Sequence, residues 1–187
     1  SNAVDLSYSS SASTTNGATG AASTAMGGGT TASGSRSTAM GGGTTASGSR
    51  STAMGSGTEA SASYSTAMGF FTTASGIFST AMGNVTTASG AGSTAMGYNT
   101  EASGYYSTAM GFETTASASY SKAMGRNTTA SDYGSLVIGQ FNSSGSSATS
   151  ATSFNTANTA FVIGNGLGQG VDASDAFSIL FDGTTII

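Results

Sequence analysis

Ser37-Thr38-Ala39-Met40-Gly41-Gly42-Gly43-Thr44-Thr45-Ala46-Ser47-Gly48-Ser49-Arg50 runs straight into Ser51-Thr52-Ala53-Met54-Gly55, and the same frame recurs along most of the chain. All eight Met keep one period of 14: Met26, Met40, Met54, Met68, Met82, Met96, Met110 and Met124, with Ile138 next in the series. Each Met is preceded by Ala and followed by Gly, and Thr recurs four residues later, from Thr30 to Thr128. Upstream, residues 9–22 read as a decayed copy, with Ala18 and Gly20 in register. Low complexity alone favours disorder, but a phase held this long is the mark of a stacked repeat.

Each repeat holds two five-residue blocks, residues 37–41 and 44–48 in the copy quoted, separated by two variable positions. Blocks of five fit short strands and two-residue spacers fit tight turns. Gly, Ser and Thr at this density disfavour helix. The expected coil is two strands and two turns, paired in parallel with its neighbours. Strand alternation then assigns faces. Ser37, Ala39 and Gly41 are expected inside with Thr44, Ala46 and Gly48, because a two-strand coil has a thin interior that only small groups fill. Thr38, Met40, Thr45 and Ser47 are expected outside, and Glu59 and Glu101 in the Thr45 slot agree with that. An outward Met column is an apolar stripe of a kind that soluble monomers rarely expose. Burying each Met is worth roughly 1.5–3 kcal/mol, so association along that face is expected. The opposite parity would place Met inside the coil. Periodicity does not set the number of associating chains.

Composition narrows the function. Only 6% of residues are charged, against about 25% in an ordinary globular protein, so no thick core with a charged shell is expected. The chain has no Cys and no His, which removes disulfides, thiolate nucleophiles and the commonest general base and metal ligand. No Pro interrupts a hydrogen-bonded ladder. A net charge of −4 with only four basic residues argues against nucleic acid. No apolar run approaches the roughly 20 residues of a membrane span. The acids form no convincing catalytic pair, and neither an enzyme nor a cofactor is expected. Ser1-Asn2-Ala3 reads as an expression scar and the chain as an excised fragment.

With Ser-x-Ala-Met-Gly alternating with Thr-x-Ala-Ser-Gly, residues 9–139 resemble the YadA-like head of trimeric autotransporter adhesins, with Met where that family usually has Val or Ile. The resemblance implies an all-β fold, a left-handed parallel β-roll assembled as a homotrimer. It implies a trimer interface along the Met column and Ile138. It also implies a bacterial surface adhesin held at the outer membrane by a stalk and a C-terminal barrel outside this chain. Host extracellular-matrix proteins or cell-surface glycoproteins would be its partners, met by a rigid trimeric rod. Residues 1–8 are then a scar and lead-in, 9–139 the repeats, 140–158 an insertion, and 159–187 a closing coil or cap leading towards a neck or stalk. Ala160-Phe161-Val162-Ile163-Gly164-Asn165-Gly166 resembles the closing segment of such heads, continued by Phe177-Ser178-Ile179-Leu180-Phe181.

The variable turns are where coils differ, and hence where recognition can reside. One turn column carries Arg36, Arg50, Tyr64, Phe78, Tyr106 and Tyr120, with Tyr105 and Tyr133 adjacent. The other carries Phe70, Phe71, Tyr98 and Phe112. These rings either contact a ligand or cover coil edges and a neighbouring subunit. Asp172, Asp175 and Asp182 are a weak calcium candidate against a solvated loop. The Gly-rich run 164–170 lacks a phosphate loop's spacing and Lys. Two other functions fit the pattern: an ice-binding solenoid, from the hydroxyls of Thr31, Ser33, Thr45 and Ser47, and a phage tail-fibre segment.

Overall fold

A computed structural model describes residues 3–8, 16–143 and 150–187, with Tyr8 and Val171 described in their backbone only. The chain is an all-β parallel solenoid of 14-residue coils, divided into two compact units, Ser1–Gly92 and Ser93–Ile187. Residues 9–15 of the decayed copy lie outside the described residues, as do residues 1–2 of the scar and residues 144–149 of the expected insertion.

In the first unit the long strands Thr24–Gly28, Thr38–Gly42, Thr52–Ser56, Thr66–Phe70 and Thr80–Asn84 stack in parallel. The short strands Gly17–Ala18, Thr31–Ala32, Thr45–Ala46, Glu59–Ala60, Thr73–Ala74 and Thr87–Ala88 form a second ladder. The second unit repeats this with Thr94–Tyr98, Thr108–Phe112, Lys122–Arg126 and Leu136–Gln140 beside Glu101–Ala102, Thr115–Ala116 and Thr129–Ala130. Like residues pair with like, as Ala67 with Ala81 and Met68 with Met82.

The interior is made of small side chains. Ala39, Ala46, Ala53, Ala60, Ala67 and Ala74 have no exposed surface, and Ser37, Thr44, Ser51 and Thr58 are at most 1% exposed. Buried polar atoms usually find partners. Ser37 Oγ donates to the Gly34 carbonyl at 2.8 Å and Ser51 Oγ to the Gly48 carbonyl at 2.7 Å, so each Ser closes its own turn. The Thr44 and Thr58 hydroxyls make no such bond, and Thr serves there to fill space.

Two expectations need correction. The second block is not a five-residue strand: only Thr45 and Ala46 pair as one, because the chain bends at Gly48 to begin the next turn. Gly41 does not face the interior with Ser37 and Ala39 but is exposed, with φ at 121°. A Cβ there would lie 1.9 Å from the Gly55 carbonyl oxygen of the next coil. Only glycine allows that approach and that dihedral together. The same collision recurs at Gly55, Gly69, Gly97 and Gly111, within 2.0 Å in each case. At the Gly34/Gly48 column, where a Cβ would also meet backbone, Ala62, Ala118 and Asp132 stand in other coils. The Ala118 N–H reaches the Ala130 carbonyl at 3.4 Å, against 3.2 Å for Gly104 to Ala116.

The ends of the ladders close by different means. Val4–Tyr8 adds a long strand in parallel register with Thr24–Gly28, separated from it by more than one repeat, and sets Leu6 opposite Met26. Asp5 accepts hydrogen bonds from the Ser7 hydroxyl and N–H, at 2.6 and 2.9 Å, and these hold its carboxyl below the ordinary range. At the other end Thr159–Asn165 pairs in parallel with Leu136–Gln140, then Asp175–Leu180 and Thr185–Ile186 follow antiparallel. The short ladder stops at Thr129–Ala130, where the side chain of Asn142 stands in for a further strand. Its Oδ1 accepts from Thr129 N–H at 2.8 Å and its Nδ2 donates to the Thr129 carbonyl at 3.0 Å. Asp132, 1% exposed, accepts from Thr159 N–H at 2.8 Å and ties the closing segment on.

Adjacent glycines test the close approach. Gly41→Ala is expected to cost about 3 kcal/mol or more, from overpacking and a strained dihedral together. Gly42→Ala, where a Cβ would have nothing within 4 Å, is expected to change stability by no more than about 0.5 kcal/mol. Urea denaturation of the two variants checks this; equal costs would refute the assigned contact.

Candidate functional site

Because the repeats fill their interior with Ala, Ser and Thr, their Met, Tyr and Arg side chains and most of their Phe are displaced to the surface; larger groups go inside only near the closing end, Val137 and Val162 at 3% exposed and Phe141 at 8%. Two sets result: a Met column on the long strands and side-chain columns on the two turns.

The Met column is held in register by strand pairing. In the first unit Leu6, Met26, Met40, Met54, Met68 and Met82 lie on successive strands. In the second, Met96, Met110, Met124, Ile138 and Ile163 do the same. None is buried: Leu6 is 63% and Met26 37% exposed, and the others are half-buried by their neighbours in the column. The Met side chains are therefore outside the coil, on an apolar face. Sequence reading missed Leu6 and Ile163 because the first has no Met beside it and the second follows a break in the period.

Both turns pass through a positive-φ residue. In one turn this is Ala22, Arg36, Arg50, Tyr64, Phe78, Gly92, Tyr106, Tyr120 and Gly134; in the other it is Gly29, Gly43, Gly57, Phe71, Val85, Asn99, Glu113, Asn127 and Phe141. The conformation is fixed by the neighbouring coil, since the backbone N–H of most of these residues donates to a carbonyl in the preceding coil's turn. Arg50 to Ser35, Tyr64 to Ser49 and Val85 to Phe70 are examples, at 2.8, 2.9 and 2.8 Å. For a residue with a Cβ this conformation costs about 1–2 kcal/mol, and for a β-branched one it is rare. The Gly members of each column were the signal in the sequence that these slots are strained.

The structure brings several of the expected turn residues into contact. Arg50 lies over the Tyr64 ring at 5.1 Å and hydrogen-bonds its hydroxyl, and Tyr64 stacks on Phe78 with centroids 4.9 Å apart. Phe70 meets Phe71 edge-on at 4.5 Å. In the second unit Tyr98 stacks on Phe112 at 5.0 Å, and Arg126, which sequence reading did not single out, lies over Phe112 and Phe141. Tyr105, Tyr106, Tyr120 and Tyr133 form a cluster with centroids 4.4–6.0 Å apart. The hydrogen bond between Tyr105 and Tyr106, with the like charge its neighbours would carry, pushes the Tyr105 phenol up. Most of these rings remain 41–61% exposed, which is a large apolar surface left in water. Arg36 is exposed in the same column as Arg50.

The acids have local structural uses. Asp175 accepts from the Ser143 N–H at 3.0 Å and from its hydroxyl, and the Asp182 carboxyl is held low chiefly by the Thr184 N–H. Among the described residues no group of three or more His, Cys, Asp or Glu could hold a metal. Glu59 and Glu101 are exposed on their short strands.

The model of one family matches the chain repeatedly: the YadA head domain repeat, in its two-copy form, over residues 18–44, 46–72, 74–100, 102–121 and 116–142. Comparison with curated proteins gives no significant match.

The strain at the turns is testable where the side chain makes least use of its place. Val85→Gly is expected to raise stability by up to about 1 kcal/mol, since glycine adopts the native φ of 54° without penalty. A shift of the urea midpoint to lower concentration would contradict the assigned turn.

Proposed function

This chain belongs to the family of YadA head domain repeats, and we propose that it is the head of a trimeric bacterial surface adhesin that attaches to host extracellular matrix or cell-surface glycoproteins. The family is one of structural adhesins and not of enzymes. The observation that carries the trimer is the in-register column of Met40, Met54, Met68 and Met82, with its counterpart Met96, Met110, Met124 and Ile138. A coil whose interior is filled by Ala and Ser has nowhere else to bury these side chains. Three copies facing one axis would cover them, as a left-handed β-roll head does in the family. Heads of this type are held at the outer membrane through a C-terminal barrel. We place this chain there too, with residues 140–158 as an insertion and 159–187 as the closing segment towards the stalk.

Attachment would then fall to what the trimer leaves outside: the turn columns with their exposed Tyr, Phe and Arg. Aromatic and Arg side chains are the usual anchors of protein contacts. The ice-binding alternative is weaker, because Glu59 and Glu101 stand exposed in the Thr45 slot and break the hydroxyl array.

Solid-phase binding of the purified chain to collagen, fibronectin and laminin, and to epithelial cells, tests the adhesion. The expected result is saturable binding to at least one surface, weakened by Tyr106→Gly with Tyr120→Gly or by Tyr64→Gly with Phe78→Gly. Binding to none of them would reduce the head to a spacer.

A further inference from the structure

In the first unit one turn column sets cations beside stacked rings; in the second, Arg126 over Phe112 and Phe141 is a similar pairing on the other turn. Arg36 and Arg50 are the only basic side chains of Ser1–Gly92, and they occupy equivalent positions on neighbouring coils. The next two coils carry Tyr64 and Phe78, stacked at 4.9 Å with planes 20° apart. Arg50 joins the two pairs through its contact with the Tyr64 ring and hydroxyl. The order along the column is therefore cation, cation, ring, ring.

All four residues sit at positive φ, from 57° to 60°. The flanking members of the same column are Ala22 and Gly92, so the turn closes equally well around a residue with almost no side chain. The large groups are thus not needed to make the turn, and they are set where the backbone disfavours them. Tyr64 is 43% and Phe78 61% exposed, and both Arg are exposed. The column contains no acid; the carboxylates of this unit are Asp5, bonded to Ser7, and Glu59, on a short strand.

We propose that Arg36, Arg50, Tyr64 and Phe78 form a binding site for an acidic glycan, a chain of pyranose rings bearing carboxylate or sulfate groups. Guanidinium groups match planar carboxylate and sulfate as two-point donors. Tyr64 is sandwiched between Arg50 and Phe78 and presents its edge and hydroxyl, while Phe78, with Gly92 next in the column, offers the apolar ring face that sugar C–H groups pack on. Successive coils are spaced about 4.8 Å apart, close to the length of one pyranose unit, so neighbouring sugars meet neighbouring slots. A neutral glycan would leave both cations unused, and a basic partner would be repelled by them. The site deepens the adhesion reading and rests on it, naming the class of ligand this turn takes.

The test is isothermal titration of the full chain with size-defined heparin, hyaluronan and cellohexaose oligosaccharides. Heparin carries sulfate and carboxylate, hyaluronan carboxylate only, and cellohexaose neither. Binding of one or both acidic probes and not of cellohexaose is expected, weakening as salt rises. Arg36→Ser with Arg50→Ser should weaken it about tenfold or more, and Tyr64→Gly with Phe78→Gly likewise. Gly92 shows that glycine suits this slot, so the second variant keeps its fold. Lys122→Ser, which removes one charge from the other unit, should leave affinity unchanged. Equal binding of cellohexaose overturns the proposal. So does equal loss from Lys122→Ser, which marks diffuse attraction. So does binding of no glycan by a chain that still captures deglycosylated matrix protein, an outcome that leaves adhesion standing.

Discussion

Everything in this fold depends on how closely successive coils approach. At the Gly column after each Met, the next coil's carbonyl oxygen occupies the place of a Cβ, about 2.0 Å from it. The interior of the repeating coils holds Ala, Ser and Thr, with Val only near the closing end, at Val137 and Val162. Their small side chains are buried there, and the ladder hydrogen bonds stay short. Dispersion and backbone pairing hold the coil, in place of a thick apolar core. The consequence for function is direct. The repeating coils bury no Met, Tyr or Arg inside themselves, so these, with the Phe of the turns other than Phe141, are pushed to surfaces where a second molecule can meet them.

The same constraint explains which parts were legible from sequence. A strict 14-residue period with Ala and Ser at alternate positions specifies a parallel coil and its inner face, because the inner slots take only small groups until Val137 follows Ala123 near the closing end. Alternation failed at Gly41, where φ leaves the strand region and the residue faces the next coil rather than the interior. It failed again in the second block, whose five residues hold a two-residue strand and the start of a turn. Alternation describes extended backbone, and neither place is extended. The turn columns were readable as columns, but their strain was not. Finding it required noticing that Gly29, Gly43 and Gly57 share a slot with Phe71 and Val85, which only a residue tolerant of positive φ would fill cheaply.

The ends were the least legible. Val4–Tyr8 repeats none of the motif's letters and enters out of phase with the repeat, yet it pairs residue for residue with Thr24–Gly28. Its alternation of Val, Leu and Tyr carried the signal, without the Met that marked the other coils. Asn142 stands in for a strand by lending its side-chain amide to Thr129. That substitution depends on three-dimensional placement, since an Asn after Phe141 has no special reading in a string. Both devices answer the need of a parallel ladder to satisfy or cover its last strand.

The central claim is that the apolar energy denied to the coil interior is realised between chains along the Met column. Light scattering coupled to size exclusion, on the unmodified chain, measures this most directly. The account predicts a particle with three times the mass of the 18.0 kDa chain. A single species at 18.0 kDa across the concentration range would contradict it, leaving an exposed stripe of Met with no partner to cover it.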